Sequence, residues 1–187
     1  MPSAAAQSTV HGVLLRVMGV GVLLTGASGV GKSELALELV TRGHQLVADD
    51  AVELRRHRGR LIAFAPRLLR GFLEARSLGI LNIRRLYGPH SIAARCELEL
   101  LLRLEAPQLL RDDGQERLGG RRGSVELQGF HLPEISIPIR LGHNLAVLVE
   151  AACRDLRLRQ QGYRADDDLI QRQQQEILKG SRTSKQT

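Results

Sequence analysis

The stretch "VGVLLTGASGVGKSELALELVTRGHQLVADD", residues 20–50, decides how this chain is read. Val20 to Gly26 form a continuous apolar run closed by glycine, the pattern of a strand buried on both faces. A glycine-rich turn follows. Leu35, Ala36, Leu39 and Val40 then recur at helical spacing, and Gly43 stands where a left-handed residue would close that helix. "HQLVADDAVEL" (44–54) reads as a returning strand whose apolar part stops at Asp49 and Asp50. Strand, loop, helix and strand in this order are α/β in character.

The turn fits G-x-x-x-x-G-K-S/T, with Gly26, Gly31, Lys32 and Ser33 in the fixed positions and Ala27, Ser28, Gly29 and Val30 between them. The glycines let the backbone curl so that several N–H groups converge on anionic oxygens, and the helix adds its positive end. Lys32 is one of three lysines in a chain with twenty-four arginines. Its compact ammonium reaches between the β- and γ-phosphates, where a planar guanidinium fits badly. The Ser33 hydroxyl is suited to Mg²⁺ bridging those phosphates. The pattern therefore predicts a site for ATP and Mg²⁺.

Downstream the pattern is less regular. Residues 10–19 predict a short strand and a turn, 58–66 a turn and a strand, and 67–77 a short helix. "CELELLLRLE" (96–105) predicts a half-exposed strand, and 107–124 a polar, glycine-rich loop or lid. Residues 124–140 read as strand material broken by prolines. Helices are predicted over 144–162 and 166–180. The middle looks antiparallel, so the expectation is one domain with a mixed sheet and flanking helices. It spans residues 9–179, with tails at 1–8 and 180–187.

Composition bounds the function. A chain of 187 residues with 43% hydrophobic residues supports one core. The net charge of +7 suits nucleotides and acidic proteins, but aromatics at 3% are too few for the base-stacking that single-strand binders use. No nucleic-acid partner is expected. Cys96 and Cys153 lack metal-ligand spacing. The start lacks a basic, apolar leader, and no apolar run reaches membrane length, so a cytoplasmic protein without a membrane anchor is expected.

Three further features are candidates on pattern. Asp49 and Asp50 end a strand beside the phosphate turn, where one carboxylate could hold Mg²⁺ through water and the other accept a proton; the alternative is an acidic turn. His11 is either a packed core residue or a site residue. Glu74 is either an exposed helix carboxylate or a second metal ligand.

"VHGVLL" (10–15), "GASGVGKSELALELVTRGHQLVADD" (26–50), "LEARSLGILNI" (73–83) and "PEISIPIRLGHNLAVLVEAA" (133–152) together resemble the catalytic domain of bacterial HPr kinase/phosphorylase. The resemblance runs from about residue 9 to about 165. It implies a P-loop domain similar to the nucleotide-binding core of phosphoenolpyruvate carboxykinase. The implied enzyme is a homohexamer that uses ATP, or in some members pyrophosphate, to phosphorylate a serine of the phosphocarrier HPr. The same enzyme removes that phosphate by phosphorolysis. By resemblance, Gly26 to Ser33 bind the nucleotide, Ser33 and Glu74 hold the metal, and His11, Lys32, Asp50 and Arg117 are catalytic. Two residues depart from the family pattern: His143 stands at a usual arginine and Ser77 at a usual glycine. The family's N-terminal domain is not in this sequence, which is expected to be either a trimmed piece or a short form. Kinase activity is therefore expected over phosphorylase activity. The other readings of the loop are a small-molecule kinase and a nucleotide-binding regulatory module; a GTPase would carry N-K-x-D, which is missing.

Overall fold

The computed structural model describes residues 8–106, 120–140 and 142–183; Arg117 lies outside them. In chain order the elements are β1 (Ser8–His11), β2 (Val13–Val17), β3 (Val20–Gly26), α1 (Lys32–Thr41), β4 (Gln45–Ala48), β5 (Ala51–His57) and β6 (Arg60–Phe64). There follow β7 (Phe72–Ala75), β8 (Gly79–Asn82), α2 (Ile83–Tyr87), β9 (Arg95–Glu105), β10 (Arg122–Leu127), β11 (Phe130–Pro138), α3 (Leu145–Gln160) and α4 (Ala165–Thr183).

Among the described residues, nine strands form one mixed sheet. The main path runs β1-β5-β6-β9-β3-β2-β4, with β11 parallel to β9 and β10 antiparallel to β11. β3 and β9 are parallel, and the remaining pairs on the path are antiparallel. Three hairpins close through two-residue turns, Met18–Gly19, Arg58–Gly59 and Gln128–Gly129, with every φ between 48° and 82°. Turns of that hand match the twist of the strands they join.

The connections force this sheet to curl. β4 is at one end of the path and β5 is one strand from the other end, yet only Asp49 and Asp50 join them. Two linking residues span about 10 Å at most. Likewise β1, at one edge, reaches β2, one strand from the opposite edge, through Gly12 alone. The two edges must therefore meet, and the Gly12 N–H donates to the Asp50 carbonyl across the seam at 3.2 Å.

The core lies on both faces of the curled sheet. Val20, Val22 and Leu24 of β3 face α1 and α3, while Leu23 faces the cluster of Leu14, Val52, Leu54, Leu61 and Leu98. That division explains the unbroken apolar run in β3. The buried face of α1 is Leu35, Ala36, Leu39 and Val40. Its end is closed as the sequence predicts: Gly43 has φ 96°, its N–H donates to Val40, and that of His44 donates to Leu39.

Several local expectations are corrected. Residues 67–77 form a 3-10 turn and β7, not a helix. Leu73 and Ala75 are buried while Phe72 and Glu74 are exposed, a period of two. Residues 10–19 hold two strands separated by Gly12, and 44–54 hold two separated by the diacid. β9 is interior rather than half-exposed, because β3, β6 and β11 all pair with it and bury Leu98, Leu100, Leu101, Leu102 and Leu104. β11 is continuous despite its prolines: pairing with β9 starts at Glu134, so Pro133 withholds no N–H from that ladder. α4 runs to Thr183, past the expected tail boundary at 180, and β1 begins at Ser8.

α1 is fastened to α3 by Glu150, whose carboxylate accepts from Arg42 Nε at 2.9 Å and Nη2 at 2.6 Å, and lies 2.8 Å from His44 Nε2. These partners, Arg42 foremost, hold the Glu150 carboxyl down at about 2. Since the folded value is below the ordinary 4.5, its stabilisation is full above that pH and fades as pH falls toward 2. Glu150→Gln is expected to cost about 1–2 kcal/mol at pH 7. The gap from wild type, measured by urea unfolding, should narrow steadily between those two pH values.

Candidate functional site

Register brings three strand ends together. Val13 of β2 pairs with Leu24 of β3, so Gly12 and His11 lie beside the start of the loop. Leu14 pairs with Ala48, so the β4 end, and with it Asp49 and Asp50, reaches the same corner. One cleft is lined by His11, Ser28, Gly29, Gly31, Lys32, Ser33, Asp49, Asp50, Glu74 and Arg76. Gly26 begins the loop against β9: a Cβ there would stand 2.4 Å from the Leu104 carbonyl oxygen. The expected site residues His11, Gly26 to Ser33, Asp50 and Glu74 thus share one corner, while Arg117 falls outside the described residues.

Lys32 is buried, and its Nζ donates to the carbonyls of Gly26 at 2.9 Å and Ala27 at 3.0 Å. Among the described residues no carboxylate pairs with it. Its charge is solvated by loop carbonyls but not neutralised. α1 starts at Lys32, so the unpaired N–H groups of its first turn share that corner.

The two adjacent aspartates have different surroundings. Asp49 is 8% exposed, and its Oδ2 accepts the backbone N–H of Glu74 at 2.8 Å. Burial pushes its carboxyl above the usual range, and the Glu74 amide opposes that shift. Asp49 therefore ties the β7–β8 hairpin to the end of β4. Asp50 is 71% exposed, at φ 66°, and its Oδ1 lies 2.9 Å from Nδ1 of His11. The turn is tight, the Ala51 N–H donating to the Asp49 carbonyl at 2.8 Å. A non-glycine residue rarely adopts this backbone, and such strain gathers at working sites. His11 is 60% exposed, which rules out the packed-core alternative.

Glu74 reaches the cleft from a strand, not a helix, so the reading of 67–77 was wrong about its setting. Arg76, two residues on, escaped the sequence reading. On a helix, residues two apart diverge, whereas at a strand end they return to the same side. Ser33 and Glu74 offer one hydroxyl and one carboxylate in a shared cleft, a donor set that fits Mg²⁺, which keeps waters and phosphate oxygens as its other ligands. Among the described residues no three His, Cys, Asp or Glu side chains form an all-protein metal cage, and Mg²⁺ requires none.

A mixed α/β sheet whose buried strand enters a G-x-x-x-x-G-K-S turn and then a helix defines a P-loop nucleotide-binding fold. Within that class, the chain belongs to the HPr serine kinase C-terminal domain family, whose family model matches residues 3–173. It is 45% identical over 166 residues to "HPr kinase/phosphorylase" of Caldanaerobacter subterraneus subsp. tengcongensis, covering 88% of this chain and 54% of that protein. It is 44% identical over 181 residues to the protein of the same name from Geobacillus thermodenitrificans, covering 95% and 57%. The chain thus spans about half the length of these curated relatives. A solved structure, the Hpr(Ser) kinase/phosphatase from Coxiella burnetii, matches with a TM-score of 0.77 at 35% identity, covering 83% of this chain and 94% of the other.

Removing the Asp49 carboxylate leaves the Glu74 amide without its acceptor. Asp49→Ala is expected to cost about 1–3 kcal/mol in urea unfolding. The Glu74 amide should also exchange with deuterium faster than in wild type; unchanged exchange would show that Asp49 does not anchor the hairpin.

Proposed function

We propose that this chain is the catalytic part of a protein serine kinase that transfers the γ-phosphoryl group of Mg-ATP to the phosphocarrier HPr or an HPr-like protein. The observation that carries the reading is an un-neutralised Lys32 in the loop facing an exposed Asp50 across one cleft. The names of the relatives support the carrier and the reaction. The family resemblance supports a cytoplasmic hexamer as part of this proposal, and pyrophosphate is a second candidate donor.

Gly26 to Ser33 wrap the phosphates with their amides, and Lys32 turns its ammonium from the loop carbonyls to the phosphate oxygens. Ser33 and Glu74 would hold Mg²⁺, which when bound neutralises charge on the β- and γ-oxygens. The Asp50 carboxylate accepts the proton of the incoming serine hydroxyl while that oxygen bonds to the γ-phosphorus and the bond to ADP breaks. His11 holds Asp50 through its Nδ1 contact and fixes the oxygen that takes the proton. Asp49 acts at one remove, setting the hairpin that carries Glu74. Arg117 is the remaining catalytic candidate, resting on the family resemblance alone.

In the reverse direction, protonated Asp50 would return the proton to the serine oxygen as inorganic phosphate takes the phosphoryl group, giving pyrophosphate. His143 weakens that reaction: an imidazole is shorter than arginine and lacks its planar fork of donors, so it grips phosphate less firmly. Transfer to the carrier is therefore the dominant direction.

With labelled ATP and purified HPr, the wild-type chain is expected to label the carrier. Lys32→Ala should lower transfer by at least about a hundredfold. Asp50→Asn should keep nucleotide affinity and lose roughly 10²- to 10⁴-fold in kcat. Ordinary transfer by Lys32→Ala, or an unlabelled carrier with wild type, would overturn the reading.

A further inference from the structure

Arg76 opens the turn of the β7–β8 hairpin, directly after buried Ala75. Its guanidinium lies against the outer rim of the loop: a Cβ placed on Gly29 would stand 2.5 Å from Nη1 and 2.9 Å from Nη2. Gly29, at φ 77°, is therefore glycine for the loop's curl and for the approach of Arg76 as well. The hydrogen bond available to Arg76 there is weak, from Nη2 to Ser28 Oγ at 3.4 Å. Asp49, Asp50 and Glu74 line the same cleft, yet none pairs with Arg76 among the described residues. An exposed guanidinium that bypasses three carboxylates to lie on a phosphate-binding turn keeps most of its donors free.

We propose that Arg76 is a second cationic ligand of the oligophosphate chain, binding from the hairpin while Lys32 binds from the helix. The assignment rests on the reading of Gly26 to Ser33 as a phosphate cradle. A guanidinium presents a planar fork that matches two oxygens of one phosphate, or one from each of two neighbours. Because Glu74 and Arg76 share the hairpin that Asp49 anchors, one buried carboxylate sets both a metal ligand and a phosphate ligand. The site then reads the diphosphate unit common to ATP, ADP and pyrophosphate, with one cation on each side.

Calorimetric titration with pyrophosphate tests this on wild type, Lys32→Ala, Arg76→Gln and Arg76→Lys. Arg76→Gln is expected to weaken binding by roughly 10- to 100-fold while its thermal midpoint stays at the wild-type value. Arg76→Lys should recover part of the loss, since it restores the charge without the planar fork. Undiminished binding by Arg76→Gln, beside lost binding by Lys32→Ala, would overturn the Arg76 assignment alone. A lowered thermal midpoint in Arg76→Gln would reduce Arg76 to a clamp on the loop and overturn the assignment too. Undiminished binding by Lys32→Ala would remove the cradle and the proposal together.

Discussion

The hydrogen bond from the Gly12 N–H to the Asp50 carbonyl marks the constraint on which the rest depends. Two very short connections tie opposite margins of one sheet, so the sheet cannot lie open. At Gly12, where the margins meet, there is no room for a side chain: a Cβ there would stand 2.5 Å from the Leu24 carbonyl oxygen. The seam runs to the C-terminal end of β3, where the chain leaves the core to form the phosphate loop. Closure of the sheet and assembly of the cleft are thus one event. A chain that failed to bring these margins together would keep its loop and lose the carboxylates that face it.

The cleft separates its charges. Among the described residues, Lys32 and Arg76 flank the loop without carboxylate partners, while Asp49, Asp50 and Glu74 gather on the seam and hairpin side. Holding the two cations apart from these carboxylates forgoes ion pairs between them. Such arrangements persist where the missing counter-charges arrive with a ligand; under the proposed function these are phosphate for the cations and a metal and a hydroxyl proton for the carboxylates. The adjacent aspartates follow the same logic at smaller scale. Burial and an amide donor make Asp49 a structural tie, while exposure and a left-handed backbone leave Asp50 free toward His11.

The readable parts of the sequence were those governed by local rules. β3, the loop, α1 and its Gly43 closure follow from apolar run length, glycine spacing and helical periodicity, each settled within a few neighbouring residues. The 67–77 stretch defeated the same reasoning. Its leucines and arginines have good helix propensity, but Leu73 and Ala75 find their burial against the core as a strand, and tertiary packing overrides propensity. Arg76 stayed hidden behind that misreading. The extent of burial in β9 was equally illegible, since it comes from three partners distant in sequence.

By itself the sequence determined that this chain carries a phosphate-binding turn between a buried strand and a helix, because backbone curl, amide convergence and a lysine of the right reach are properties of eight consecutive residues. Resemblance of longer segments supplied a family and a list of residues without their geometry. Only the tertiary structure decided which aspartate is buried and which is free, that Glu74 arrives on a strand, and that Arg76 lies on the loop. Those outcomes depend on how one sheet curls until its margins touch, and long-range pairing is not written in any local run of residues.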